Sequence, residues 1–170
     1  MSTNMHSLAR ALIECLSQQT TQFRTFLDLL SQQRSALVER DTERLEHVIA
    51  LQEQAIAQSK KIERDRQALT TQLAQLNTGV GDDPSLGDIA ALVEASAGSE
   101  MLAAQDQLRS LQSEIDRCRT LNTNLIEQST RCTSEALQWI AGRMRPSPVY
   151  TAKHQGRSEG SGQIAVNRRC

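Results

Sequence analysis

The sequence predicts an all-α protein: an elongated antiparallel helical hairpin or three-helix bundle with coiled-coil-like packing and a disordered C-terminal tail. Aromatic residues make up only 2% of the 170 residues, which is too few to fill a thick globular core. Apolar residues recur at alternating spacings of three and four over long stretches, and they show no strand-like alternation. These observations favour long helices joined along narrow apolar seams.

One helical domain is expected to span residues 1–144, followed by a flexible basic tail, 145–170. We expect its helices at about residues 5–39, 42–77, 86–97 and 100–144. The first helix carries a single apolar face, which consists of Leu8, Leu12, Cys15 or Leu16, Phe23, Phe26, Leu30 and Leu37. It ends in the sequence ERDTER, where Asp41 or Thr42 is suited to cap a new helix. The residues there are compatible with a turn between two helices and with a kink in one continuous helix.

The second helix has apolar residues at strict spacings of seven, namely Val48, Ala55, Ile62, Leu69 and Leu76. The other position of this seam carries Gln52, Ser59 and Arg66. Polar residues at a repeated seam position weaken packing but fix its register, and the alternative is that this edge faces water. We favour the second interpretation, in which this edge of the helix faces water.

The stretch NTGVGDDP, which begins at Asn77, has the composition of a loop. After it, Ser85 and Asp88 have the spacing of a capping box at the start of a short helix of about three turns, or fewer because of Gly87. Gly98 lies where that helix would end, and Ser99 is suited to cap the long helix that follows.

The long last helix organises the chain. Its heptad seam consists of Met101, Ala104, Leu108, Leu111, Ile115, Cys118, Asn122, Leu125, Ser129, Cys132, Ala136 and Ile140 or Trp139. Towards the C-terminus a second apolar stripe lies beside this seam, so the apolar face is wider than packing within the chain requires. We interpret the widened face as a docking surface whose contacts are Leu125, Ile126, Leu137, Trp139, Ile140 and Met144.

The C-terminal tail, residues 145–170, contains five cations and one anion, a net charge of +4, which leaves −5 for residues 1–144. Its proline, glycine and polar residues predict that it does not fold alone. Tyr150 is the chain's single tyrosine. From the residues alone it is either an exposed side chain of no special role or the anchor of a short binding motif.

Little in the sequence is typical of an enzyme. The four cysteines form no pair or cluster suited to zinc, so we expect reduced thiols, with Cys118 and Cys132 as small core residues. The lone His47, flanked by glutamates, is typical of an exposed side chain. We expect no catalytic activity, cofactor, metal or nucleic-acid binding. No apolar run is long enough to span a membrane, and the protein is expected to be cytoplasmic.

Two stretches resemble the FlgN family of flagellar export chaperones. The first is FLDLLSQQRSALVERDTERLEHVIALQEQAIAQSKKIERDRQAL, with spaced leucines and an Asp at the break between two helices. The second is LQSEIDRCRTLNTNLIEQSTRCTSEALQWIAGRM followed by PVYTAKHQG. It is similar to the family's C-terminal helix, with Asn122 and Asn124 closer together than in the family's Asn-x-x-Asn element, and to its tail, with Tyr150 and Gly156. The resemblance spans roughly residues 8–156.

This resemblance implies a cytoplasmic chaperone that binds the C-terminal helical segments of the hook-associated proteins FlgK and FlgL. It implies that the chaperone prevents their premature assembly and aids their delivery to the type III export gate, where Tyr150 would dock on the gate component FlhA. A chaperone of this kind would be monomeric or a weak homodimer. The alternative is a structural homo-oligomeric coiled-coil scaffold, which would use its apolar face on itself.

Overall fold

The computed structural model describes the backbone of residues 2–76 and 84–143, and the side chains from residue 4 onward within those ranges. In these ranges the chain forms four α-helices and no strand, so the all-α prediction is confirmed. The helices are α1 (Ser2–Glu39), α2 (Thr42–Gln75), α3 (Leu86–Leu92) and α4 (Ala95–Arg143). The described part of the chain divides into two units, of which the first ends at Cys132 and the second begins at Thr133.

A tight turn connects α1 to α2, which settles the question of turn or kink. Arg40 has a left-handed backbone with φ of 57°, and the Asp41 N–H donates to the carbonyl of Ala36 at 3.0 Å, which closes the last turn of α1. The Asp41 carboxylate then accepts a hydrogen bond from the Arg44 N–H at 3.0 Å. Asp41 is therefore the N-cap of α2, one of the two residues that the sequence indicated.

The core of the first unit consists of two clusters. The larger one joins all four helices through side chains that are almost fully excluded from solvent: Leu12, Leu16, Leu73, Ile89 and Met101. A smaller cluster, nearer the turn, contains Leu29, Val48 and Ala55. Burial of such side chains is worth about 1.5–3 kcal/mol each before the entropy of folding is subtracted.

The long helices α1 and α4 run parallel in the first unit. Leu12 and Met101 belong to one cluster, and further along both helices Asn122 donates to the carbonyl of Leu30. In this register, the end of α1 at Glu39 is level with about residues 128–131 of α4. The seam of α4 is accordingly buried or half-buried as far as Leu125.

Two predictions about seams are wrong in part. Gln52, expected on an edge that faces water, is buried, and Ser59 and Arg66 are half-buried, because all three lie between α2 and neighbouring helices. Cys132, expected in the core with Cys118, is exposed, whereas Cys118 is half-buried. Cys132 lies past the level at which α1 ends, so α1 has no side chain to cover it.

The short helix α3 begins with the predicted capping box. The Ser85 Oγ accepts from the Asp88 N–H at 3.2 Å, and the Asp88 carboxylate accepts from the Ser85 N–H at 2.9 Å. The helix ends at Leu92, earlier than expected, because Val93 is extended.

The prediction that Gly98 ends α3 is wrong, because Gly98 is buried inside α4, which begins at Ala95. Ser99 is not a cap either, since its hydroxyl donates to the Ser96 carbonyl within the same helix. A Cβ at residue 98 would collide with the carbonyl oxygen of Ala90. Glycine is therefore needed because the backbones of α3 and α4 are in contact, and not because the chain ends a helix there.

The remaining predictions concern residues that the structure does not describe. These are most of the loop after Asn77, the tail 145–170, and with them Met144 and Tyr150. The division into a domain of residues 1–144 and a separate tail therefore stays a prediction.

Candidate functional site

The predicted docking residues from Leu125 to Ile140 lie on α4, and most of them are exposed. In the first unit Leu125 is half-buried in the seam and Ile126 is 44% exposed. In the second unit the exposed fractions are 61% for Leu137, 60% for Trp139 and 46% for Ile140. Large apolar side chains that are exposed on a helix are typical of a surface that binds another protein.

The indole of Trp139 lies against the guanidinium of Arg143, one helical turn later, at 3.9 Å from the ring centroid. A cation stacked on an aromatic face adds roughly 0.5–1 kcal/mol at an exposed site. The contact favours one orientation of the indole along its own helix, and most of the ring surface stays accessible. Such a side chain loses less freedom when it binds a partner.

A groove of about 850 Å³ lies in the first unit, lined by α1, α2 and α4. Its deeper residues come from α1 and include Phe23, Phe26 and Leu30, so both phenylalanines of the chain line it. Its exposed residues come from α2 and α4 and include Ile56 and Ile126. The groove is not apparent from the sequence, although Gln52 and Ser59, two of the polar seam residues of α2, line it.

Amide side chains form a hydrogen-bonded network in the groove. The Asn122 Nδ2 donates to the Leu30 carbonyl at 2.9 Å and to the Gln33 Oε1 at 2.8 Å. The Gln52 Nε2 donates to the same Gln33 oxygen at 3.3 Å, and the Arg34 Nε donates to the Asn122 Oδ1 at 3.2 Å. The network joins α1, α2 and α4. Asn122 is 3% exposed, whereas Asn124, the second asparagine of the family resemblance, is exposed.

An ion pair lies at the other end of the groove. The Arg66 guanidinium donates to both oxygens of Glu63, at 2.9 and 2.7 Å. Gln67 and Gln19 donate to the same carboxylate. The hydrogen bond from Arg66 is the main cause that lowers the pKa of Glu63, and burial opposes it in part. The Glu63 carboxylate is therefore already well solvated by protein donors.

The cysteines of the described ranges are free thiols in different surroundings. Cys15 is buried between α1 and α2, where its Sγ lies 3.4 Å from the carbonyl of Ile62. Burial is the main cause that raises the pKa of the Cys15 thiol, and the negative charge of Asp65 adds to it. Among the described residues there is no group of three or more His, Cys, Asp or Glu side chains arranged to hold a metal ion. The described helices also include none that is long and apolar enough to cross a membrane.

A helical fold with exposed apolar residues along one helix is typical of proteins that bind other proteins. The family model described as FlgN protein matches residues 1–158. The chain therefore belongs to the FlgN family, a family of flagellar export chaperones that is not known for enzymes. The resemblance found in the sequence is thus confirmed. Neither the curated proteins nor the solved structures gave a significant match.

Proposed function

We propose that this protein is a cytoplasmic chaperone of flagellar type III export that binds the C-terminal helical segments of the hook-associated proteins FlgK and FlgL. Membership of the FlgN family supports the general role in flagellar export. The choice of clients follows from the family resemblance. By covering helical segments that later pair with one another, the chaperone keeps its clients unassembled until they reach the export gate.

The observation that carries this proposal is the exposure of Leu137, Trp139 and Ile140 on α4. In the proposed complex these residues contact the apolar face of a client helix, together with Leu125, Ile126 and Met144. Helix-to-helix recognition uses apolar side chains at spacings of three and four, which is the spacing of Leu137, Ile140 and Met144. Aromatic residues with a large contact area often dominate such interfaces, and Trp139 is the proposed anchor.

The test changes Leu137 and Ile140 together to Ser and measures the affinity for purified FlgK and FlgL. Both side chains are exposed, so helical content by circular dichroism should stay close to that of the wild type. We expect affinity to fall by about tenfold or more, since two apolar interface contacts are lost. The matched control changes Glu135 and Gln138, two exposed polar residues of the same part of α4, to Ser. If both double variants bind clients like the wild type, α4 is not the client site at these positions.

We further propose that Tyr150 docks on the export gate component FlhA. This assignment comes from the family resemblance and from the fact that the chain has one tyrosine. Tyr150→Ala should abolish binding to FlhA while client affinity stays unchanged. Retention of both activities would leave residues 145–170 as a spacer.

The same exposed residues also suit a second function, that of a homo-oligomeric coiled-coil scaffold. A scaffold would bury Leu137 and Ile140 against a second copy of the chain. Sedimentation equilibrium separates the two functions. A chaperone stays monomeric or forms only a weak dimer, and Leu137→Ser with Ile140→Ser does not strengthen its association. A scaffold forms a stable oligomer, and the same double variant dissociates it.

A further inference from the structure

The groove of the first unit has the dimensions of a helix-binding site. Its lining residues run from Gln52 to Gln67 on α2 and from Gln112 to Ile126 on α4. At a rise of 1.5 Å per residue each range covers about 21 Å, the length of four helical turns. Half-buried Phe23 and Phe26 and buried Ile115 offer apolar contact inside the groove. A fourth helix laid there would complete a bundle with the three long helices that surround it.

The charges at the edge of the groove indicate the kind of helix that would fit. Lys60 and Arg64 of α2 and Arg119 of α4 line it and are exposed. Within the described ranges none of these three cations has an ion-pair partner. The one acidic residue of the lining, Glu63, is bound by Arg66. The groove is thus positive although residues 1–144 carry a net charge of −5.

We propose that this groove binds an amphipathic helix of a partner protein, about four turns long, with an apolar stripe flanked by Asp and Glu. The apolar stripe contacts the two phenylalanines, and the acidic flanks pair with Lys60, Arg64 and Arg119. The site is distinct from the exposed Leu137 and Ile140, so it does not depend on the clients proposed above. Ile126 borders the groove and also belongs to the proposed client contacts, so the variants chosen below leave it unchanged.

The test uses two fluorescent peptides of the same designed amphipathic helix, one with Glu on both flanks of a leucine stripe and one with Lys at the same positions. Binding to the full-length protein is measured by fluorescence anisotropy. The wild type should bind the Glu peptide about tenfold or more tightly than the Lys peptide. Lys60→Glu with Arg119→Glu should reverse this preference, because the sign of the groove's edge is reversed while its shape is kept.

The matched control is Lys61→Glu with Arg117→Glu. These residues are the same two types, exposed on the same two helices, and they do not line the groove. The control changes the net charge of the protein by the same amount and should keep the preference of the wild type. A second pair tests the apolar contact: Ile56→Ser should weaken binding of the Glu peptide several-fold, and Ile49→Ser should not. Ile56 and Ile49 are 43% and 40% exposed on α2, and only Ile56 lines the groove.

Two results would overturn the proposal. One is a wild type that does not prefer the Glu peptide, including a wild type that binds neither peptide. The other is an equal change of preference in the groove variant and in its control, since attraction would then depend on net charge alone. Neither result bears on the effect of Leu137→Ser with Ile140→Ser on client binding, so the two proposals fail independently.

Discussion

The side-chain amide of Asn122, in α4, donates to the backbone carbonyl of Leu30, in α1, at 2.9 Å. The Leu30 carbonyl is part of the backbone of α1, and the Asn122 side chain is almost fully buried. The same asparagine is bonded to Gln33 and Arg34, so one residue of α4 satisfies three groups of α1. A buried polar residue at a seam position is suited to fix which turn of one helix lies beside which turn of the next.

The first prediction concerns the contribution of this asparagine to stability. Asn122→Ala should lower the free energy of unfolding by about 1–3 kcal/mol, because it leaves the Arg34 Nε without its acceptor and removes one of the two donors to the Gln33 Oε1. Asn124→Ala, at an exposed position two residues later, should change it by less than about 0.5 kcal/mol. Urea unfolding followed by circular dichroism measures both. Equal stability of the two variants would mean that the network does not stabilise the fold.

The sequence predicted the helices well because their apolar spacing is a local property. The seam from Met101 to Leu125 and the cap at Asp41 follow from neighbouring residues and lie where they were expected. The heptad spacing continues to Ile140, however, and spacing does not tell where a partner helix ends. Cys132 was therefore assigned to a core that α1 is too short to provide.

The candidate site was only partly predictable for a similar reason. Exposed Leu137 and Ile140 were indicated by the widened apolar face of their own helix. The groove needs residues of three helices, and no local pattern shows that Phe23 and Ile115 line one cavity. Gly98 shows the same limit. In the sequence, a glycine between two helical stretches is typical of a helix end, and only the three-dimensional structure brings the backbone of Ala90 against it.

The second prediction concerns thiol reactivity. Cys132 is exposed, whereas Cys15 is buried and its pKa is raised, so Cys15 forms little of the reactive thiolate near neutral pH. In a Cys170→Ser background, iodoacetamide should modify Cys132 about tenfold or more faster than Cys15, as measured by peptide mass spectrometry. In urea the two rates should become similar. Comparable rates in the native protein would contradict the packing of α1 on α2 around Cys15.

The third prediction concerns pH and the Glu63–Arg66 pair. Because the pKa of Glu63 is lowered in the folded protein, the unfolded chain takes up a proton there first as the pH falls. The stabilisation is complete above the ordinary value of 4.5 and is lost as the pH falls through the lowered pKa. Glu63→Gln should therefore be less stable than the wild type near neutral pH, and the difference should shrink in acid.

The control for this pair is Glu53→Gln on the same helix. Glu53 is exposed and has no hydrogen-bond or ion-pair partner among the described side chains. Its variant should match the wild type within about 0.5 kcal/mol near neutral pH. Urea unfolding of all three proteins at several pH values gives the comparison. A difference between Glu63→Gln and the wild type that stays constant into acid would show that the ionised carboxylate is not its source.

The last prediction reverses the usual effect of replacing a helical glycine. In an exposed helix Gly→Ala stabilises by about 1 kcal/mol. At residue 98 the added Cβ would collide with the backbone of Ala90, and a backbone cannot turn away as a flexible side chain can. Separating α3 from α4 would loosen Ile89 and Met101 in the larger core cluster. Gly98→Ala should therefore destabilise the protein by about 1–3 kcal/mol, as overpacking does.

The control is Gly142→Ala, also in α4 but with open space around it, which should be neutral or stabilise by up to about 1 kcal/mol. Urea unfolding measures both variants, and a Gly98→Ala protein as stable as Gly142→Ala would show that α3 does not pack against α4 at this point.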